Sequence, residues 1–167
     1  MLVQPYRQML LGLAIALLST GALGQQTPSA APPNRETIAA VLQALDAAWN
    51  ARDPVRFSAV FSSDGSFGFP VEGVSLHGRD EIRSHYEKLF AKMPPDWRHI
   101  TTIRDFEVIT DGLVAVEIQV EILGVDPKTR VTQTPLAHYA GMGLGVRTDS
   151  GWRIRLARVY QVAKYAP

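Results

Sequence analysis

Few side chains of this 167-residue chain are placed to perform chemistry. Cysteine is absent, which excludes thiolate nucleophiles, thiolate metal ligands and disulfides. His77, His85 and His99 stand in no metal-site pattern, so we expect neither a metal ion nor a cofactor. The residues that remain for a reaction or a binding site are an arginine near the C-terminus, one further histidine and several tyrosines.

Arg158 lies on the last predicted strand, where alternate residues are apolar. It shares its parity with Trp152, Ile154, Leu156, Tyr160 and Val162. A guanidinium among apolar side chains could hold the carboxylate of a ligand. Two other interpretations stay open: a bulge at Ala157 would change the direction of Arg158, or a structural acid would pair with it, as is usual for a buried arginine.

Three tyrosines, Tyr86, Tyr139 and Tyr160, carry hydroxyls that need a partner if they are buried. They are therefore the best candidates for polar points inside a cavity. Asp64 stands in a Ser-Asp-Gly sequence, which is ordinary turn chemistry and requires no function.

Three helices are predicted in the first half of the chain, and they must position these side chains. Asn34 is a candidate N-cap for a first helix, whose apolar residues recur at steps of three and four as far as Trp49. Asp53 and Pro54 begin a second, short helix as N-cap and first helical residue. The third predicted helix spans 80–91.

Strands account for most of the remaining sequence. Residues 62–65 predict a turn into a short strand that carries Phe67 and Phe69, and Pro70 ends this strand before a loop. Alternating apolar residues and an Asp-Gly hairpin signal predict four long antiparallel strands. These strands span 97–109, 114–122, 136–147 and 152–162.

The order of elements predicts an α+β domain, in which three N-terminal helices pack on the concave face of a curved antiparallel sheet. One strand carries Gly141, Gly143 and Gly145 at alternate positions, so one of its faces lacks side chains. Another element must pack closely there, or the sheet must bend.

This layout resembles the cone-shaped fold of the nuclear transport factor 2-like superfamily, which includes the SnoaL-like proteins and the ketosteroid isomerases. The resemblance rests on AWNARD at 48–53, VFSSDG at 60–65 and GRDEIRSHY at 78–86. It implies a deep, often apolar pocket between helices and sheet, and a dimer formed through the open face of the sheet. It also implies that Ala137 faces the pocket and that His138 points to the outer or dimer face.

The polar groups of the ketosteroid isomerases are missing from this sequence. By resemblance their carboxylate base falls on Phe69, their oxyanion-binding tyrosine on Leu45 and their protonated aspartate on Ala137. A proton shift beside a carbonyl needs a base within reach and a donor for the oxyanion. Isomerase chemistry by that route is therefore excluded, and we expect no catalytic residue at these positions.

The expected function is the binding of a small apolar or aromatic molecule in the internal pocket. The candidate ligand-binding residues are Trp49, Phe69, Tyr86, Trp97, Tyr139, Arg158 and Tyr160. Two alternatives stay open: an enzyme of non-isomerase acid–base chemistry on a polyketide-like or aromatic substrate, and a dimeric structural or assembly domain.

Residues 1–24 have the layout of a secretory signal peptide, with Arg7 before the short apolar run 9–18 and small residues before a cleavage site. An uncleaved anchor is the alternative, but a bilayer takes about 20 apolar residues. Residues 25–33 are proline-rich and read as a disordered linker, and 34–164 as the domain. We expect an exported protein, periplasmic or secreted.

The charge balance bears on partners. Removing the leader lowers Lys+Arg from 17 to 16, which equals Asp+Glu at 16. A formally neutral chain gives no reason to expect nucleic acid or, after cleavage, a membrane as partner. The expected partners are a small-molecule ligand and a second copy of the chain.

Overall fold

The computed structural model of the protein describes residues 33–126, 128–129 and 132–162. The expected signal peptide and almost all of the expected linker lie outside the described residues. The described elements are α1 (Arg35–Asn50), α2 (Pro54–Ala59), β1 (Phe61–Phe69), a short 3₁₀ helix (Pro70–Glu72), β2 (Val74–His77), α3 (Gly78–Phe90), β3 (Trp97–Thr110), β4 (Leu113–Val125), β5 (Thr132–Thr148) and β6 (Gly151–Gln161). Among these described helices, none is long and apolar enough to cross a membrane.

The strands form one sheet in the order β2-β1-β6-β5-β4-β3. β1 pairs with β6 in parallel, whereas the other neighbouring strands pair antiparallel. The helices cover one face of this curved sheet, here called the inner face, and the opposite face is called the outer face. The predicted α+β class, with three helices on the concave face, is confirmed.

The two predicted helix starts are confirmed, because local chemistry determines them. The Asn34 side chain accepts a hydrogen bond from the backbone N–H of Thr37 at 2.7 Å. The Asp53 side chain accepts one from the N–H of Arg56 at 2.9 Å, with Pro54 at the first helical position. Each cap satisfies a donor that has no partner within the helix.

The row of glycines on β5 lies on the inner face, directly opposite branched side chains of β4. Val114 pairs with Gly145. In the same way, Val116 pairs with Gly143 and Ile118 with Gly141. A Cβ at Gly145 would lie 2.8 Å from a methyl carbon of Val114. The side chains of β4 therefore fill the space that the glycines leave, and this is the close packing that the glycine pattern predicts.

Two predictions about the region around β1 are wrong. Residues 62–65 do not precede the strand but form an irregular stretch within β1, between Phe61 and Ser66, which both pair with β6. The segment after the 3₁₀ helix is not a loop, because Val74–His77 pairs with β1 as an edge strand. Four residues carry too little periodicity to indicate a strand without this neighbour.

β6 contains a bulge that sequence alternation does not reveal. Ile154 pairs with Gly145 and Leu156 with Leu144, so Arg155 is an extra residue on β6. The guanidinium of Arg155 forms an ion pair with Asp64 at 3.1 Å, within the irregular stretch of β1. An extra residue reverses the direction of every later side chain. Ala157 therefore points inward, and Arg158 points outward.

Candidate functional site

A cavity of about 300 Å³ lies between the helices and the inner face of the sheet. Most of its lining is apolar, and it receives residues from α1, α2, α3 and five of the described strands. Trp49 comes from α1, Phe69 from β1, Tyr86 from α3, Trp97 from β3 and Tyr139 from β5. The cavity is therefore a property of the whole fold and not of one motif.

Aromatic rings make up much of the wall and pack edge to face. The ring centroids of Phe67 and Phe69 lie 5.0 Å apart at 82°, and those of Trp49 and Phe90 lie 6.0 Å apart at 85°. Such edge contacts between rings are favourable beyond the area that they bury. Rings held by several neighbours give the cavity a fixed shape, which suits a flat apolar ligand.

Tyr86 and Tyr139 bring hydroxyls into this apolar wall. Burial raises the pKa of Tyr86 far above its ordinary value of 10.0, and the nearby Tyr139 adds to the rise. Burial also raises the pKa of Tyr139, helped by the negative charge of Glu72. Within the described part of the chain, neither hydroxyl makes a hydrogen bond. Both tyrosines are thus neutral donors at physiological pH, available to a ligand oxygen.

His99 is a further polar residue in the lining, and a carboxylate holds it. The imidazole Nδ1 lies 2.7 Å from Oδ1 of Asp46 on α1, and the two side chains are 11% and 18% exposed. Thr101 donates to the same carboxylate from its backbone N–H at 2.9 Å and from its hydroxyl at 2.7 Å. The Trp49 ring packs on the imidazole, with centroids 5.0 Å apart.

Polar side chains of α1 bind the backbone of β3, which lies at the edge of the sheet. Asn50 donates to the backbone carbonyl of His99 at 3.0 Å and accepts from its N–H at 2.8 Å. Arg35 donates to the carbonyl of Ile103 at 2.6 Å. These bonds satisfy backbone groups of β3 that no further strand reaches. α1 therefore covers the edge of the sheet and, at the same point, orients His99.

Five of the seven candidate ligand-binding residues line the cavity: Trp49, Phe69, Tyr86, Trp97 and Tyr139. Leu45 also lines the cavity, and Ala137 packs against the core around it. The contribution of the five residues to binding stays a prediction, which the experiments below address.

The expected inward orientation of Arg158 and Tyr160 is wrong, because both residues follow the bulge at Arg155. Arg158 lies on the outer face, where its guanidinium is 3.3 Å from the hydroxyl of Ser66 and 2.8 Å from the carbonyl of Ala157. Tyr160 is 42% exposed on the same face. The bulge interpretation of the arginine therefore fits better than the pocket interpretation, although the extra residue is Arg155 and not Ala157.

The outer face carries a groove, here called the outer groove. It is lined by Arg104, Glu117, Ile118, Gln119, His138, Tyr139, Ala140, Gly141, Met142, Tyr160 and Val162. His138 lies there as the resemblance implies, with its Nδ1 3.5 Å from a carboxylate oxygen of Glu121.

Among the described residues, no group of three His, Asp or Glu side chains is arranged to hold a metal ion.

Sequence reasoning missed the pairing of Asp46 with His99, which lie 53 positions apart. A signal existed: Asp46 lies four residues after Leu42 and three before Trp49, so it falls beside the apolar stripe of α1. Sequence alone could not identify its partner, because the register of α1 along β3 is a tertiary property.

Solved structures with the same fold come from several bacteria. An uncharacterised protein with a cystatin-like fold from Caulobacter vibrioides is 27% identical, with a TM-score of 0.62 over 77% of this chain and 89% of its own. A ketosteroid isomerase-like protein from Erwinia carotovora atroseptica is 21% identical, with a TM-score of 0.59 over 77% and 95%. A candidate calcium/calmodulin dependent protein kinase II association domain from Xanthomonas campestris is 14% identical, with a TM-score of 0.63 over 79% and 90%.

Sequence comparison gives a more specific assignment than these folds do. None of the curated proteins matches the chain. The family model of the SnoaL-like domain matches residues 41–164, which include most of α1, all later described elements and all of the cavity lining except Ile38. This match confirms the resemblance to the SnoaL-like and nuclear transport factor 2-like proteins, and the chain belongs to the SnoaL-like domain family.

Proposed function

We propose that the cavity binds one small, largely apolar molecule, with the flat shape of an aromatic compound. The observation that carries this proposal is a cavity of about 300 Å³ with a mostly apolar, ring-rich lining. That volume is at the lower end of ligand pockets, which favours a compound of one or two rings. Transfer of its apolar surface from water supplies the affinity, at roughly 25 cal/mol per Å² before the costs of association.

The polar residues of the wall favour a ligand that carries an oxygen acceptor. Tyr86 and Tyr139 are neutral donors without a partner among the described residues, and a ligand carbonyl would satisfy them. A ligand carboxylate is disfavoured, because Arg158 lies outside the cavity and a charge is costly to bury. Arg153, the arginine of the lining, already donates to the backbone carbonyl of Trp152 at 2.8 Å. The preferred ligand is therefore a neutral aromatic ketone or phenol.

A matched series of ethylbenzene, acetophenone and benzoate tests this function. All three tryptophans of the chain line the cavity, so their fluorescence and a thermal shift both report binding. Acetophenone should bind roughly 3- to 10-fold more tightly than ethylbenzene, as one hydrogen bond allows, and benzoate most weakly. Tyr86→Phe and Tyr139→Phe should each reduce the preference for the ketone.

Arg158→Leu is the matched control, because it alters a side chain on the outer face. It should leave the affinities of all three compounds unchanged. The proposal fails if no compound changes the fluorescence or the melting temperature of the wild-type protein.

Acid–base catalysis is the second candidate function, and the pairing of Asp46 with His99 favours it.

An assembly domain with a collapsed pocket is less well supported, because the cavity has a volume of about 300 Å³, which is enough for a small ligand. Assembly through the outer face is compatible with either function, and we propose a homodimer there. The Xanthomonas structure, an association domain of the same fold, supports this proposal of assembly.

We also propose that the protein is exported. The layout of residues 1–24 supports this proposal. Fractionation of the host cell and N-terminal sequencing of the protein test it, and the expected first residue of the mature chain is Gln25. Recovery of the protein with an intact Met1 from the cytosol would contradict export.

A further inference from the structure

We propose that His99, positioned by Asp46, is a general base that accepts a proton from a ligand in the cavity. This inference rests on the proposed binding function, since it needs a ligand in the same cavity. The substrate class is a small, neutral aromatic molecule with an acidic C–H bond next to a carbonyl or a comparable electron-withdrawing group. The protein would then be an acid–base enzyme that uses residues other than those of the ketosteroid isomerases.

The orientation of the imidazole is the first observation. Asp46 lies 2.7 Å from Nδ1, so the carboxylate favours the tautomer with the proton on Nδ1 and the lone pair on Nε2. Nε2 makes no hydrogen bond within the described part of the chain, and the residue lines the cavity. Because Asp46 occupies Nδ1, Nε2 is the ring nitrogen that is left to accept a proton from a ligand.

The rigidity of the imidazole is the second observation. Asn50 binds both backbone groups of His99, and the Trp49 ring packs on the imidazole face. Thr101 holds the Asp46 carboxylate with two hydrogen bonds. A base that is already held in place loses little freedom when the substrate binds.

A purely structural role explains part of this cluster but not all of it. Asp46 and Asn50 cover the open edge of β3 through the backbone of Thr101 and His99, and for this purpose any side chain at position 99 would do. Covering the edge does not require an imidazole inside an apolar cavity with one unpaired nitrogen. That feature distinguishes a proton-transfer site from a helix–strand contact.

The proposed step is balanced without a co-reactant. The C–H bond of the substrate breaks, its proton forms an N–H bond with Nε2, and its electron pair moves toward the adjacent carbonyl, where oxygen takes the negative charge. His99 becomes an imidazolium that Asp46 stabilises. The proton then returns to another atom of the substrate, which restores the neutral imidazole.

His99 has few charged neighbours among the described residues. Asp46 is the acidic group that contacts the ring, and Arg52 lies nearby, donating to the carbonyl of Trp97. β4 presents the apolar Ile122 opposite His99, and Glu72 and His85 are the other titratable groups of the lining besides the tyrosines and Arg153.

The test uses 5-nitrobenzisoxazole, a small neutral aromatic whose ring opening requires one base. The base removes the proton of the C–H bond, that electron pair completes a nitrile, the N–O bond breaks, and its electrons leave on a phenolate oxygen. The wild-type protein should accelerate this reaction with saturation kinetics. His99→Gln should lower kcat by about 100-fold or more, the ordinary contribution of a general base.

Two variants separate positioning from folding. His99→Gln retains the bonds that cover the edge of β3, because these use the backbone of His99 and the side chain of Asp46. Asp46→Asn should lower kcat at least roughly 10-fold with little change in KM, because the tautomer is no longer enforced. Nitrogen NMR of the histidines should show the Nδ1–H tautomer for His99 in the wild type and a mixture in Asp46→Asn. His77→Gln, an exposed position outside the cavity, should leave the rate unchanged.

Binding of the unreactive 5-nitroindole, measured by tryptophan fluorescence, distinguishes the possible failures. If 5-nitroindole binds and the reaction is not accelerated, or the acceleration survives in His99→Gln, the base assignment is overturned and the binding function stands. If neither 5-nitroindole nor the three compounds of the binding series bind, the proposed function itself fails. A folded His99→Gln variant that binds 5-nitroindole and no longer accelerates the reaction supports the assignment.

Discussion

Tyr86 and His99 contribute polarity to the same cavity in different ways. The hydroxyl of Tyr86 has no partner among the described residues, although its ring contacts Phe57 at a centroid distance of 3.9 Å. The imidazole of His99 is held by Asp46 through one of its nitrogens. The Tyr86 hydroxyl is therefore free to donate a hydrogen bond to an oxygen of a bound ligand, because Tyr86 lines the cavity.

The first prediction concerns this hydroxyl and alkaline pH. The folded-state pKa of Tyr86 lies above its unfolded value of 10.0, so above pH 10 the unfolded chain loses a proton that the folded chain keeps. Stability therefore declines from about pH 10 upward, by up to about 1.4 kcal/mol per pH unit for one proton. Tyr86→Phe should remove this share of the decline.

Urea denaturation at a series of pH values between 7 and 11 measures this effect. Tyr160→Phe makes the same chemical change on the exposed outer face and serves as the matched control. If stability declined equally with pH in the wild type and in Tyr86→Phe, the Tyr86 hydroxyl would have the same pKa in the folded and unfolded chains, and the prediction would be wrong.

At the scale of elements, the pairing of β4 with β5 determines the shape of the inner face. Branched side chains on β4 lie opposite glycines on β5. The branched side chains fit only because the glycines lack a Cβ, and they fill the space that the glycines leave. α1 has a comparable double role. Its apolar residues form the roof of the cavity, and its polar residues cover the edge of β3.

The second prediction tests the packing over the glycine row. Gly145→Ala would place a Cβ 2.8 Å from a methyl carbon of Val114, so it should destabilise the domain by about 1–3 kcal/mol. Val114→Ala also destabilises, since Val114 is fully buried. In the double variant, Gly145→Ala should cost at least ~1 kcal/mol less than it does alone.

Chemical denaturation of the four proteins of this cycle provides the measurement. Gly112→Ala, at a glycine whose added Cβ would meet no atom within 4 Å, is the matched control and should cost little. Additive effects of the two substitutions would mean that the sheet relaxes and that Val114 does not limit position 145.

At the scale of the whole molecule, the two faces of the sheet have different surroundings. The helices cover the inner face, whereas in the described structure the outer face carries exposed apolar side chains. Met142 is 49% exposed, Val162 47% and Leu136 47%. Together with the outer groove, these residues form a surface that a second copy of the chain could bury.

The third prediction is that the protein is a homodimer through this face. Met142→Glu places a charge on the lining of the outer groove, so it should shift the protein to monomers at micromolar concentration. Sedimentation velocity measures the change. Val55→Glu, on the exposed side of α2, is the control and should remain dimeric. A monomeric wild type would contradict the prediction, and so would a dimer that Met142→Glu leaves intact.

The local structure of this protein could be predicted because its signals are local. The N-caps Asn34 and Asp53 bond to residues three positions ahead, and the alternation on β4 follows from the geometry of a single strand. The helices, the long strands, the α+β class and the family resemblance depend on such short-range patterns. The aromatic residues of the cavity wall could be named for the same reason, because they lie on the apolar stripes of these elements.

Tertiary structure decided the features that join distant segments. The pairing of β6 with β1 and β5 leaves Arg155 as an extra residue, and this turns Arg158 and Tyr160 away from the cavity. The strand Val74–His77 exists because β1 lies beside it. The contact between Asp46 and His99 requires α1 to lie along the open edge of β3. Each of these depends on the register between elements, and a one-residue change in register reverses the direction of a side chain without altering the local pattern.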